Sequence, residues 1–446
     1  MKNRFFHLPS ALFHLTFLFV YCLLSAFFCT AQEKSEVIRY ARAVVDTLAS
    51  PSMHGRGYVN KGDSIAADYI KKELEKIGVK PIGKEFEQRF SFPVNTFPGK
   101  MNLDISNTDR ESEQLAGKDF LITSNSPEKF QEDLYNVSIC GKKMLLSRNK
   151  YKKFKRKKFN KYVIIIDECG IMDKKEIKTA ESWIIANANA QIIVVLKNDK
   201  LTWEVSQSQN KNTVYECNCK DSSHINNIYK VRFDVEAKLI PNYQSKNVLG
   251  YIQGTQYPDS FIVFSAHYDH LGQMGKDVYF PGANDNASGC AMLLNLAKYY
   301  SEHKPKYSVA FMAFGAEEVG LLGSKYYVEH PLFPLSKIKF LVNMDIMGTG
   351  DEGIKVVNAT EHKKEFDELV KINSEKKLLP SVQPRGKTQN SDHYFFSEAG
   401  VKTFFIYTLG GIKAYHDIYD RPETLPLTKF EEVFKLLTSF TDYLQK

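Results

Sequence analysis

The chain has 446 residues, 43% of them hydrophobic and 25% charged, with a formal net charge of +8. This composition excludes a disordered or collagen-like chain, and the length suits one large core plus a smaller unit. The positive excess is mild and names no partner, and seven cysteines in so long a chain do not make a disulfide scaffold.

At the start of the chain, Lys2 and Arg4 precede an almost uncharged run from Ala11 to Phe28 that ends in Cys29-Thr30-Ala31. A basic start, an apolar middle and small residues at the cleavage point are the layout of a secretory signal peptide over 1–31, so the expected location is secreted or periplasmic. A retained anchor is the alternative, because the run is long enough to span a bilayer. Lipid attachment at Cys29 fits less well, since Phe27 and Phe28 precede it. No later stretch is apolar and long enough to cross a membrane. Five cysteines follow the leader, and one bridge among Cys140, Cys169 and the Cys217/Cys219 pair is possible; the sequence does not choose.

Apolar residues at helical spacing predict helices over Ser35 to Leu48 and Asp63 to Ile77, with Gly78 as a C-cap, and Phe86 to Phe92 alternates like a strand. From about Ala116 to Pro241 the texture changes to basic and polar loops around Tyr162 to Ile166, a helical stretch from Lys174 to Ala190, and Gln191 to Leu196. That strand, helix, strand pattern predicts a separate inserted α/β module. The run KYKKFKRKKFNK from Lys150 to Lys161 reads as a solvated lobe of that module. Attachment to an anionic surface is its sharper reading, and no nucleic-acid partner is expected, because no aromatic-interleaved fold accompanies it.

From Lys246 onward apolar runs alternate with helical stretches. Val248 to Ile252, Phe261 to Ser265, Ser308 to Phe314, Phe340 to Met344 and Thr403 to Tyr407 read as strands, and Asn286 to Tyr300, Leu321 to Glu329, Lys363 to Ser374 and Lys429 to Leu444 as helices. The predicted fold class is α/β, a mainly parallel mixed sheet flanked by helices. In such sheets ligands sit beyond the carboxyl ends of the strands.

His and carboxylate residues gather at those ends. One predicted strand runs into His267 and Asp269, a second into Glu317 and Glu318, and a third into Asp345, while Asp285 lies in a small-residue loop and His416 follows the last strand. Imidazole mixed with carboxylate suits zinc, cobalt or manganese better than calcium or a thiolate-bound structural zinc. Five such ligands are too many for one tetrahedral ion and suit two ions sharing a carboxylate. Taken singly, each residue has an ordinary alternative, such as a helix cap or a turn; placement at successive strand ends is what those alternatives do not explain.

The motifs HYDHLG at 267–272, GANDNASG at 282–289, FGAEEVGLLGS at 314–324, NMDIMG at 343–348, NSDHYFF at 390–396 and YHDIYD at 415–420 resemble those of metallopeptidase family twenty-eight, the co-catalytic zinc aminopeptidases. The resemblance covers roughly 246–446, with a looser likeness over 35–95. It implies two zinc ions, His267 and Asp345 on one, Glu318 and His416 on the other, and Asp285 between them. It further implies Glu317 as general base and Asp269 as the residue that orients His267. Asn286 departs from the pattern, since family members often carry an acid there. The expected division is a signal peptide over 1–31, the N-terminal part of the peptidase domain over 32–115, an inserted module that looks like a protease-associated domain over 116–241, and the catalytic zinc peptidase core over 242–446. Peptides are the implied substrates, Asp392 and His393 are expected to line the pocket, and the oligomeric state is not legible. Carboxypeptidase or dipeptidase action on the same fold, a single-zinc glutaminyl cyclase and a metal-free ectodomain stay open as alternatives.

Overall fold

A computed structural model describes residues 35–107, 110–134, 137–169, 171, 175–219 and 228–446; the expected signal peptide lies outside the described residues. The apolar runs of the second half form the middle of a nine-stranded sheet. In order across it stand Lys80–Pro81, Lys238–Ile252, Tyr307–Phe314, Tyr257–His267, Ile338–Met344, Thr403–Leu409, Gly353–Val357 and Val382–Arg385, with Glu87–Thr96 also pairing Lys238–Ile252. The four strands from Tyr307–Phe314 to Thr403–Leu409 are mutually parallel. Antiparallel partners flank them, and the outer pair Gly353–Val357 and Val382–Arg385 is again parallel, so the sheet is mixed. Continuous apolar sequence is what a strand covered on both faces requires.

Alternate residues of the central strands feed two cores. Ile262, Phe264, Phe311 and Val342 pack under the helices Glu36–Leu48, Gly62–Ile77, Ser288–Glu302 and Phe430–Leu444, and Val263, Ala310, Met312 and Leu341 pack under Leu322–Glu329 and His393–Glu398. The helix limits follow local chemistry. The Ser35 hydroxyl accepts from the Ile38 amide at 3.4 Å, and Gly78, at φ 84°, takes the left-handed turn that ends the second helix. The helix expected from Asn286 begins instead at Ser288, because Asp285 and Asn286 hold non-helical angles that aim their side chains into the site.

Two further sheets lie between the halves of the large one in sequence. A five-stranded sheet runs Phe120–Ile122, Thr213–Asn218, Ile192–Lys197, Val163–Asp167, Val137–Cys140. An antiparallel four-stranded sheet runs Arg110–Glu113, Met101–Asn107, Ile228–Val235, Lys129–Leu134, so strands preceding position 116 pair with strands of the insert. Val163 and Ile165 face the other sheet with Leu103 and Phe233, and Ile164 and Ile166 face the helix Lys175–Asn187. Cys169 is bonded to Cys219, closing a loop of 50 residues, while Cys140, Cys217 and Cys290 are free and buried. In the basic run, the helix Arg148–Phe154 carries exposed lysines, and Phe154 packs on Phe159 at 4.3 Å between ring centroids. Lys155 and Lys157 lie over the rings of Trp183 and Tyr162 at 4.5 and 4.2 Å.

Candidate metal centre

The carboxyl ends of the parallel strands bring the metal-type residues together. His267 is the last residue of its strand, Asp345 follows Met344, and Glu317 and Glu318 lie three and four residues past Phe314. His267 Nε2 stands 3.4 Å from Asp345 Oδ1 and 3.5 Å from Asp285 Oδ1. His416 Nε2 stands 3.2 Å from both Asp285 Oδ2 and Glu318 Oε2. The two oxygens of Asp285 therefore face different imidazoles. Donor atoms about 2.0–2.2 Å from a tetrahedral zinc are separated from one another by roughly 3.3–3.5 Å, close to the spacing in both groups. Asp345 Oδ1 has no hydrogen-bond partner. The donor set fits zinc, and burying this many carboxylates without a cation is costly.

The surrounding groups aim the donors. Asp269, fully buried, accepts hydrogen bonds from the amides of Glu317 (3.0 Å) and Glu318 (3.3 Å) and from the Tyr58 hydroxyl (3.0 Å). Its contact with His267 is through the backbone carbonyl, 3.2 Å from Nδ1, closer than the carboxylate at 3.8 Å. His270 Nδ1 lies 2.7 Å from Glu318 Oε1, leaving Oε2 for the centre. Asp420 accepts from the amides of Asn284 and Asp285, and Asn286 donates to the Met344 carbonyl at 3.0 Å while accepting from the Gly289 amide at 2.9 Å. An amide at 286 can do both, which an ionised acid cannot. Gly289 is required there, because a Cβ would lie 2.2 Å from Asn286 Oδ1.

Arg56, which sequence reasoning did not single out, supports the loop from beneath. Fully buried, its guanidinium donates to the carbonyls of Leu48, Tyr268, Pro281, Gly282 and Asp285 at 2.7–3.1 Å. Arg56→Met removes the partner of five buried carbonyls. We expect a loss of at least about 3 kcal/mol in urea unfolding of the whole chain; a loss below about 1 kcal/mol, the worth of a single hydrogen bond, contradicts this role. Residues 200–207 brace the loops that carry Glu318 and His416. The Trp203 amide donates to the His416 carbonyl at 2.9 Å, Lys200 Nζ to the Lys413 carbonyl at 2.8 Å, and Gln207 to the Val319 carbonyl at 2.8 Å.

Two residues expected in the pocket are not there. Asp392 and His393 are wholly buried, and from that motif it is Asn390 that reaches the cleft, because the chain turns inward into the short helix His393–Glu398. Asp392 still acts at a distance. Burial first, then the charges of Glu318, Asp392 and Asp345, push the Glu317 carboxyl well above the ordinary range despite the pull of His267. Glu318 is held well below it, since His416 and His270 outweigh burial.

Burial lowers the His416 pKa, but Glu318 and Asp285 outweigh it and push it up to about 11. His267 is also raised, by Glu317, Asp345 and Asp285 against burial. Without a metal these neighbours favour the protonated imidazoles, and a divalent ion must displace those protons. Zinc titration by calorimetry in buffers of different ionisation enthalpy should show at least one proton released at pH 7 and affinity falling as the pH is lowered. A slope of zero against buffer enthalpy contradicts this.

Residues 247–441 match peptidase family M28. Aminopeptidase YwaD of Bacillus subtilis (strain 168) is 27% identical over 355 residues, 74% of this chain and 72% of its own length. A probable zinc metalloprotease of Pyrenophora teres f. teres (strain 0-1) is 35% identical over 113 residues, which is 24% of this chain and 23% of that protein. Among solved structures, BSAP, a zinc aminopeptidase from Bacillus subtilis, superposes with a TM-score of 0.65 at 20% identity over 91% of this chain and 94% of its own. An aminopeptidase from Aneurinibacillus sp. strain AM-1 gives 0.60 at 19% identity over 91% and 93%. These two likenesses extend the shared fold beyond the matched segment to most of the chain. His267, Asp285, Glu317, Glu318, Asp345 and His416 all lie within 247–441, the segment that matches peptidase family M28.

Proposed function

We propose that this protein is an exported zinc aminopeptidase that binds two zinc ions and hydrolyses the first peptide bond of peptides with a free amino terminus. The observation that carries the reading is the division of Asp285 between two imidazoles, each paired with a further carboxylate. His267 and Asp345 would hold one ion, His416 and Glu318 the other, with Asp285 between them. When bound, zinc polarises the scissile carbonyl and lowers the pKa of water. Glu317 lines the same cleft, its carboxylate within 4.8 Å of the donor atoms of His267 and Glu318. It takes the proton of the attacking water and passes it to the amine that departs as the C–N bond breaks. Asp269 holds the Glu317–Glu318 turn and the His267 ring in place.

Export rests on the N-terminal pattern and on the Cys169–Cys219 bond, which an oxidising compartment favours. Among the described residues, no helix is long and apolar enough to cross a membrane. The test is a panel of aminoacyl, N-acetylaminoacyl and peptidyl anilides. Cleavage of unblocked amino termini alone supports the reading; cleavage indifferent to acetylation contradicts it.

A further inference from the structure

One wall of the cleft is free of metal-type residues. Phe405, Tyr407, Asn390 and Arg385 line it. Phe405 and Tyr407 stand two apart on Thr403–Leu409 and so project from the same face of that strand, and Arg385 ends the edge strand Val382–Arg385. Arg385 Nη1 donates to the Tyr407 hydroxyl at 3.0 Å. That bond uses one of five guanidinium donors and leaves the phenolic hydrogen available. The other charged side chains lining the cleft are the acids and imidazoles of the metal centre, so Arg385 alone among the lining residues carries a permanent positive charge.

We infer that Arg385 and Tyr407 form a carboxylate-binding subsite for the substrate. This rests on reading the cleft as a peptidase site. The planar fork of a guanidinium matches a carboxylate with two parallel hydrogen bonds, and the phenol supplies a third. Two zinc ions would offset the four carboxylates of the centre, and the exposed Arg385 adds a cation at the mouth to receive an acidic group. On a peptide whose scissile bond lies at the metal centre, two carboxylates present this chemistry: the side chain of an N-terminal Asp or Glu, and the terminal carboxylate of a very short peptide.

Zinc-loaded wild type, Arg385→Gln and Tyr407→Phe, each checked for metal content and melting temperature, separate these sources. In the first arm kcat/KM is compared for glutamyl and glutaminyl p-nitroanilide, in the second for leucylglycine and leucylglycinamide. Calorimetric binding of glutamate against glutamine, and of glycylglycine against its amide, gives the same acid-to-amide ratios without turnover. At least one ratio should fall about 10- to 100-fold in Arg385→Gln, the worth of hydrogen bonds to a charged group, and part of the way in Tyr407→Phe. A fall in the first arm assigns the side chain, and a fall in the second the terminal carboxylate. Ratios equal to wild type in both arms, by turnover and by binding, overturn the subsite. Binding ratios that fall in a protein that cleaves none of the substrates keep the subsite and remove the peptidase reading.

Discussion

Glu317→Gln should lower turnover by roughly 10²- to 10⁴-fold, the usual worth of a positioned proton acceptor, while fold, zinc content and substrate affinity stay near wild type. The amide keeps the shape of the side chain and cannot take a proton from water. Glu318→Gln should fail differently. Its Oε2 lies 3.2 Å from His416 Nε2 in the group we assign to one ion, and a neutral amide is a poorer ligand for a divalent cation. That variant should lose zinc on dialysis and recover part of its activity when zinc is added. The two neighbours are distinguished by measuring metal content and activity of both, with and without excess zinc. Loss of zinc from Glu317→Gln with retention in Glu318→Gln would reverse the roles.

Asp285→Asn should disturb both proposed metal positions at once, because both Asp285 oxygens are used. Oδ1 faces His267 and Oδ2 faces His416, and an amide offers one oxygen and an NH2 that does not ligate. The variant should retain at most one tightly held zinc. Losing the second ion removes several kcal/mol of transition-state stabilisation, so kcat/KM should fall by about 10³-fold or more. The rise in melting temperature that zinc gives the wild type should shrink in parallel, since bound ligand stabilises in proportion to its affinity. Two retained ions with kcat/KM within about tenfold of wild type would show that Asp285 is not shared, because a tenfold change corresponds to only about 1.4 kcal/mol.

Much of this centre was legible because its parts are local in sequence. A parallel strand covered on both faces is written as an unbroken apolar run, and the residue after the run is the one delivered to the edge; His267 and Asp345 could be found that way. Arg56 could not, because four of its five acceptors are backbone carbonyls 212 to 229 residues away and leave no trace in composition or spacing. The NSDHYFF motif points Asp392 and His393 at the pocket, but their burial behind it is decided by how the short helix His393–Glu398 packs. The last two strands on that side of the sheet, Gly353–Val357 and Val382–Arg385, are too short for a periodicity signal, so the wall bearing Arg385 leaves no mark in the sequence. The polar strand Met101–Asn107 was likewise unmarked, and its pairing with Ile228–Val235 became apparent only in three dimensions.

The most direct measurement of the central claim is the anomalous scattering of zinc in crystals of the metal-loaded protein. The account predicts two zinc peaks per chain about 3.5–4 Å apart, with Asp285 reaching both. A single peak, or two peaks of which only one lies against Asp285, would contradict it.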